Sequence, residues 1–549
     1  MSYPAPVLVA GAGPAGLVAA LTLLQNGIPV RIIEKERKYR IGQRGAGNLP
    51  RSLELYNFLG VPEVDQVGKR IPLIRLYKPG TTEPIKTISM VPHTEPTPAI
   101  PFHTPKMIGQ ETLEGILRAH LEKLSCFVEL GTELRSFEQF HDHVVAHLEK
   151  TDASGTVVSK TIEASWLIGA DGAKGVVRKG LGLTFLGETR EELRVVIGDI
   201  RLTAPGIDRV HWHRFGNRET RLLMLRPTDE VGENGFQFSL FGAEADPAQL
   251  VADHDALFEF ISSVTGADVT IHEVVWANEF RPNIRMVNKF GEGRVFVAGD
   301  AAHVHSPSGG QGLNSSVQDT FNLCWKLALV QKDLAPPSLL DTYTAERLPV
   351  IAEMLELTTS ILNQTLVAAS EEEAIQQRGQ RLLMLGINYR SSSIVRDEFV
   401  TEARPVAAYG LLDEGRLEAG DRAPDAPGLR AQDGTTTKLF DIYRPWYHTV
   451  LVFGPDAAQS LGKYDPSLVR LVVVLPASGA GTHSGYGADM VLVDEERYAH
   501  SAYLVKEGDA KVVVIRPDGV VGAIVHNLEG VNKYFGGIFS SIPVKAGDV

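Results

Sequence analysis

The chain has 549 residues, 44% of them hydrophobic, with 54 Lys plus Arg against 67 Asp plus Glu for a formal charge of −13. At ~150 residues per domain this is enough chain for roughly three or four domains with large cores, which excludes a small stapled scaffold, a collagen-like chain and wholesale disorder. The acidic balance repels phosphate backbones and anionic lipid, so nucleic acid and membrane are set aside as partners. Two cysteines, Cys126 and Cys324, are too few for a disulfide framework or a four-thiolate metal site and fit a reducing, cytoplasmic setting.

Residues 6–10 predict a strand, 17–26 a helix stopped by Gly27, and 28–34 a second strand, both strands apolar as in a parallel sheet covered on two faces. The uncharged run 7–24 is not a membrane span, because Gly11-Ala12-Gly13-Pro14-Ala15-Gly16 breaks it and no Lys or Arg precedes it. That hexapeptide fits G-x-G-x-x-G in the strand-to-helix setting the motif requires. Gly11 permits the tight turn, Gly13 lets backbone approach a pyrophosphate, and Gly16 lets helix and strand pack closely; the helix N-terminus offers unpaired N–H groups to the anion. Glu34 ends the second strand, where a carboxylate takes a ribose diol and disfavours a 2′-phosphate, so the adenine belongs to FAD or NAD.

Residues 73–105 are rich in Pro and Thr, and 183–290 alternate β-like runs with turns, including neighbouring strands at 222–225 and 235–240 and a helix over 251–264. These pieces predict a second, sheet-based domain inserted discontinuously into the first. Helical spacing dominates 315–330 and 339–369, with Pro336-Pro337 and Pro349 expected to end or kink a helix. Glu371-Glu372-Glu373 reads as a solvated helix end. A linker or domain entry falls at 404–432, and runs at 449–453, 469–475 and 511–515 predict a separate α/β module.

Two further blocks carry chemistry. In Gly293-Arg294-Val295-Phe296-Val297-Ala298-Gly299-Asp300-Ala301-Ala302-His303 an apolar strand ends at a carboxylate able to bind sugar hydroxyls. Pro307-Ser308-Gly309-Gly310-Gln311-Gly312-Leu313-Asn314 then leads into a helix whose free amides face developing negative charge. Leu167-Ile168-Gly169-Ala170-Asp171-Gly172-Ala173-Lys174-Gly175 is another strand running into Asp-Gly.

Together the three blocks resemble the FAD-dependent aromatic hydroxylases, single-component monooxygenases typified by para-hydroxybenzoate hydroxylase and phenol 2-monooxygenase. Smaller blocks agree: Arg44 with Arg51-Ser52-Leu53-Glu54, Gln110 with Leu113-Glu114, Gln318-Asp319 with Asn322-Leu323-Cys324-Trp325-Lys326-Leu327, and Tyr343 with Glu346-Arg347. The resemblance implies an α/β fold, in part α+β. It comprises a Rossmann-like FAD-binding domain (1–72, 106–182 and 286–370), a discontinuous inserted β-sheet substrate domain (73–105 and 183–285), a linker or helical region (371–409) and a C-terminal domain (410–549). Gly420-Asp421-Arg422-Ala423-Pro424-Asp425 and Arg516-Pro517-Asp518-Gly519 resemble the thioredoxin-like third domain of the phenol hydroxylase branch. No cysteine lies beyond Cys324, so Cys-x-x-Cys exchange is impossible there.

The resemblance also implies site residues. Gly11, Gly13, Pro14, Ala15, Gly16, Glu34 and Lys35 would hold the ADP half of FAD, with Arg44 and Gln110 at the pyrophosphate and ribityl region. Gly299 and Asp300 would bind the ribityl chain, and Pro307, Gly310, Gln311, Gly312, Leu313 and Asn314 would flank the isoalloxazine. Asp171 belongs to the block tied to use of the nicotinamide cofactor, with Gly175 standing where the family usually has a small hydroxyl residue. The activity implied is hydroxylation of a phenolic or other electron-rich aromatic, with NADPH or NADH and O2 as co-substrates, through a flavin hydroperoxide. A homodimer is the implied assembly.

Substrate-facing candidates are His213, Arg226 and Gln237, with Phe238, Asn48 and Pro307 in the pocket. His213 lies in an alternating run that permits an inward imidazole, and Arg226 at a strand end can pair with a carboxylate or phenolate. Where some phenol hydroxylases carry an acidic residue, this chain has Ala46. Cys324 reads as a buried core thiol, and His303 with His305 lacks the spacing of a metal pair, so no metal is expected. Oxidative decarboxylation of a hydroxybenzoate, Baeyer–Villiger insertion and epoxidation are alternatives on the same scaffold, and a non-catalytic flavin-bound interaction protein is the alternative outside the class.

Overall fold

A computed structural model describes residues 5–367, 379–401, 407–454, 464–479 and 487–544, except 92, 153, 191, 192, 218, 243–245 and 308. The Glu371-Glu372-Glu373 run lies outside the described residues.

The first strand, Val7–Ala10, is wholly buried and lies inside a six-stranded sheet, as its unbroken apolar run requires. Across that sheet the order is Gly291–Glu292, Val295–Val297, Leu167–Gly169, Val7–Ala10, Val30–Glu34 and Glu129–Leu130, parallel throughout except at Gly291–Glu292. Helix Pro14–Gln25 is buried from Ala15 to Leu23 and packs on helices Gln110–Lys123 and Gly312–Gln331. The carboxyl ends of Val7–Ala10, Leu167–Gly169 and Val295–Val297 therefore converge, and each opens into one of the three motif blocks. Crevices at such strand ends are where open α/β sheets bind ligands.

A seven-stranded sheet stands apart from the first, in the order Thr270–Phe280, Val195–Thr203, Gly235–Phe241, Leu222–Pro227, Trp212–Gly216, Ile74–Tyr77 and Pro84–Ile88. It has its own core, in which Phe215, Leu225, Phe236, Phe238 and Leu240 meet Leu257, Phe260 and Ile261. The single helix expected over 251–264 is two helices, Pro247–Ala252 and His254–Thr265. Asp253 divides them, its side chain capping the second by accepting from Asp255 N–H (2.9 Å) and Ala256 N–H (3.3 Å).

Pro349 does not end its helix, which runs from Asp341 to Val367. An interior proline costs about 3 kcal/mol. Val350, Ile351 and Met354, all fully buried just beyond it, offset that at about 1.5–3 kcal/mol each.

The C-terminal part forms an eight-stranded sheet whose inner strands His448–Phe453 and Lys511–Ile515 are buried along their whole length. Its core is continuous with that of the first sheet: Phe58 meets Phe440 edge-on at 4.9 Å, and Tyr443 packs beside both. Buried charges cross the same boundary. Glu346 takes both amino groups of Arg516 (2.7 and 2.8 Å) and the Lys326 ammonium (2.7 Å), and Glu54 bridges Arg51 (2.7 Å) and Arg422 (2.6 Å). Several short blocks of the sequence thus meet in one buried ion network.

Candidate active site

The glycine turn is sterically determined at two positions and open at the third. Gly11 has φ +103°, and a Cβ there would lie 2.2 Å from the Ala170 carbonyl oxygen; a Cβ on Gly16 would lie 1.9 Å from the Gly11 carbonyl oxygen. A Cβ on Gly13 would meet nothing within 4 Å, so the backbone there borders empty space at the start of helix Pro14–Gln25. Glu34 accepts from Ala12 N–H and Glu36 N–H, both at 3.1 Å, one on each carboxylate oxygen. That anchors the carboxylate and leaves lone pairs for hydroxyl donors. Lys35 lines the same space.

At the neighbouring strand end, Asp171 accepts from Val176 N–H (2.6 Å) and Val177 N–H (3.0 Å), capping the short helix Val176–Gly180. A Cβ on Gly175 would lie 2.1 Å from Asp171 Oδ1, so the carboxylate occupies the space a side chain at 175 would take. Arg178 then ties this block to the third strand end by donating to the Ala301 carbonyl (3.0 Å). Gly299 (φ +60°) donates its N–H to Asp319, turning Asp300 into the cavity; burial raises the Asp300 carboxyl above its ordinary range, against His303 and Arg40.

The loop from Pro307 enters helix Gly312–Gln331, whose first intrahelical bond runs from Ser315 N–H to the Gln311 carbonyl (2.8 Å). The N–H groups of Gly312, Leu313 and Asn314 precede that bond, and Gly312 and Leu313 line the cavity with Pro307, Gly310 and Gln311. The Asn314 side chain is turned away. It accepts from Leu49 N–H (2.8 Å) and donates to the carbonyls of Gly47 (2.8 Å) and Gly310 (2.9 Å), clamping two loops together. His303 and His305 diverge: His303 Nε2 bonds Asp319 (2.6 Å), while burial drives the His305 imidazole down to about 4.

Facing this loop is one side of the seven-stranded sheet. Its pairing register sets Trp276, Asp199, Gln237 and Arg226 side by side across four strands, with Trp212 next in line. Asp199 accepts from Trp276 Nε1 (2.6 Å) and Gln43 N–H (2.7 Å). Gln237 accepts from Arg226 and donates to the Arg44 carbonyl (3.1 Å). Arg44 has φ +41°; its guanidinium lies 4.8 Å over the Trp276 ring, and its Nε is buried with no hydrogen-bond partner. Burial lowers the Arg226 guanidinium to about 10, with Asp199 opposing, and Trp212 lies beneath it at 5.0 Å.

One cavity of 1430 Å³ joins these features. It is lined by Gly11, Gly13, Pro14, Ala15, Glu34, Lys35, Arg44, Gln110, Asp171 and Asp300, by the 307–313 loop, and by Arg226 and Gln237. Single-ligand pockets span roughly 300–1,000 Å³, so it has room for a dinucleotide and a second ligand.

Three of the substrate-pocket candidates are not on it, nor are Gly16, Gly299 and Asn314 among the predicted cofactor residues. His213 is fully buried on the opposite face of the sheet, with Nδ1 on Tyr77 OH (2.6 Å) and Nε2 on the Asp208 carbonyl (2.7 Å); burial foremost lowers its pKa. Phe238 shares that hidden face, and Asn48 is buried behind its loop. The period of two decides the matter: with Trp212, Arg214, Arg226, Gln237 and Ser239 on the cavity, His213 and Phe238 must point into the sheet's own core. Asp199 and Trp276 escape sequence reasoning, since their only signal is the same parity.

The residues present fit an FAD. The open Gly13 cradle, a carboxylate anchored with free lone pairs, the unpartnered Arg44 Nε and the exposed helix N–H groups answer a pyrophosphate, a ribose and an electron-rich ring edge in turn. Strand-end crevice and glycine turn together define a dinucleotide-binding enzyme with a second sheet as its ligand wall.

Residues 4–358 match the family model described as FAD binding domain. A flavin-dependent monooxygenase of Mycobacteroides abscessus is 35% identical over 498 residues, 87% of this chain and 97% of that protein. Pentachlorophenol 4-monooxygenase of Sphingobium chlorophenolicum is 31% identical, over 82% of this chain and 80% of the relative. Among solved structures, aklavinone-11 hydroxylase in a ternary complex with FAD and aklavinone has a TM-score of 0.77 and 27% identity, covering 97% of this chain and 99% of the other. The chain belongs to this family of FAD-dependent aromatic monooxygenases.

Proposed function

We propose that the protein hydroxylates a phenolic or similarly electron-rich aromatic compound at the wall formed by Arg226 and Gln237, with NADPH or NADH as electron donor and O2 as oxidant. The observation that carries this reading is Arg226. Its guanidinium lines the cavity, is desolvated, and has no carboxylate at ion-pair distance among the described residues, Asp199 offsetting its charge only in part. A cation so incompletely balanced is costly there unless a ligand supplies the anion. A phenolate does so, and its negative charge makes the ring a better nucleophile.

Bound FAD supplies the redox and oxygen-transfer chemistry. The chain's part is to hold and orient. Gln237 fixes the guanidinium, Trp212 and Met224 give the aromatic an apolar flank, and the N–H groups at Gly312 and Leu313 favour negative charge on the facing ring edge. Relatives include a pentachlorophenol 4-monooxygenase and an aklavinone 12-hydroxylase, which supports an aromatic substrate here. A cytoplasmic setting, supported by two buried free thiols, together with the homodimer and thioredoxin-like C-terminal module that the family resemblance implies, completes the reading.

The test is to purify the protein, record its visible spectrum, and follow NADPH, NADH and O2 consumption over a panel of phenols and hydroxybenzoates with products weighed by mass spectrometry. Stimulated consumption with a product heavier by one oxygen supports hydroxylation. Loss of CO2 from a hydroxybenzoate would move the reading to oxidative decarboxylation, because the same guanidinium accepts a carboxylate.

A further inference from the structure

At the start of helix Gly312–Gln331 the Gln311 side chain is completely buried. Its Nε2 donates to the carbonyls of Gly309 (2.8 Å) and Leu382 (3.2 Å), and its Oε1 accepts from the hydroxyl of Tyr409. Gly309 and Gly310 stand at φ +87° and +65°, so the loop is built from residues with little conformational preference of their own and takes its shape from what braces it.

Tyr409 is itself braced. Glu353, on the long helix Asp341–Val367, accepts from the N–H groups of Ala408 (2.9 Å) and Tyr409 (2.8 Å), and Tyr409 pairs with Ile387 in a two-stranded ladder. Burial pushes the phenol well above its ordinary range, so it stays a donor. The path from Glu353 through Tyr409 and Gln311 ends at Gly309 and at the first turn of helix Gly312–Gln331.

We infer that Tyr409 is a positioning residue for FAD: through Gln311 it sets where the Gly309–Gly312 backbone and the helix N-terminus meet the flavin ring. This rests on the reading that the isoalloxazine lies beside that loop. The electrostatics follow from position, since the field of a helix N-terminus falls off within its first turn and a displaced loop changes the potential felt by the ring.

The test compares Tyr409→Phe with Glu353→Gln, which loosens Tyr409 without touching its hydroxyl, and with Tyr447→Phe as a control. Tyr447 loses a comparable buried hydroxyl bond, to the Ile442 carbonyl, far from the cavity. For Tyr409→Phe, FAD binding is expected to weaken by about tenfold. The visible spectrum and reduction potential of bound flavin should shift, with Glu353→Gln moving them the same way by less. Tyr447→Phe should lower thermal stability and leave FAD affinity, spectrum and potential at wild-type values.

Wild-type affinity, spectrum and potential in Tyr409→Phe would overturn the inference, as would flavin changes of equal size in Tyr447→Phe. Should Tyr409→Phe fail to fold, unchanged flavin properties in Glu353→Gln overturn it alone. A wild-type chain that takes up no FAD would sink the cofactor reading and this inference together, whereas failure in Tyr409→Phe alone leaves that reading standing.

Discussion

Trp276 Nε1 donates to Asp199 Oδ2 at 2.6 Å, and the same oxygen accepts the Gln43 N–H at 2.7 Å. One buried carboxylate thus ties the loop carrying Arg44 to the wall of the second sheet, joining the two parts of the chain that enclose the cavity. Asp199→Ala leaves one buried and one half-buried donor unpaired at about 1–3 kcal/mol each. Denaturant unfolding should therefore show a loss of about 2–6 kcal/mol, accompanied by weaker FAD retention as the Arg44 loop comes free.

The glycine turn separates folding from binding. Gly13→Val adds a side chain only to open space, so it should fold with a melting temperature near wild type yet lose FAD in equilibrium dialysis. Gly16→Ala drives a Cβ to 1.9 Å from the Gly11 carbonyl oxygen and should fail to give soluble folded protein. If Gly13→Val kept full FAD affinity, the pyrophosphate would have to lie elsewhere.

These two glycines also show how unevenly the sequence speaks. The first strand, turn and helix are legible because local spacing and packing demand the same residues, and Asp300 and Asp171 are legible as carboxylates at strand ends. The second sheet is legible as a sheet but not as a surface. Whether His213 or its neighbours Trp212 and Arg214 face the ligand depends on strand parity, and a one-residue choice inverts every assignment. Asp199 and Tyr409 are beyond local reading, because their partners lie 77 and 98 residues away in the chain. At Pro349 the helix runs on, because tertiary burial overrides the tendency of a proline to end it.

Arg226→Met removes the cation at the wall while keeping much of its volume. A charge-assisted hydrogen bond is worth about 1.5–3 kcal/mol, so KM for phenolic substrates should rise about ten- to hundredfold with FAD content unchanged. In the wild type burial lowers the guanidinium from its ordinary 12.5, but it stays charged across the working range, so substrate affinity should rise as the phenol ionises and then hold, a rise that steady-state kinetics of Arg226→Met would lack.

Glu346 tests the joint with the C-terminal sheet. Arg516 and Lys326 outweigh burial and hold its carboxyl well below the ordinary 4.5. Its stabilisation is therefore full above pH 4.5 and lost as pH falls below it. Glu346→Gln strands the buried Lys326 ammonium and leaves Arg516 to Asp518 alone, and chemical denaturation at neutral pH should show a loss of about 3–5 kcal/mol that shrinks as the pH is lowered.

The most direct test of the account is a single-turnover reaction under oxygen-18 with FAD-loaded protein, a phenol that stimulates NADPH or NADH oxidation, and isotopic analysis of the product. One labelled oxygen atom on the aromatic ring is expected for each nicotinamide oxidised, with loss of that coupling in Arg226→Met. Stoichiometric hydrogen peroxide with an unlabelled, unchanged phenol would contradict it, leaving a flavoprotein whose cavity does not direct oxygen onto an aromatic substrate.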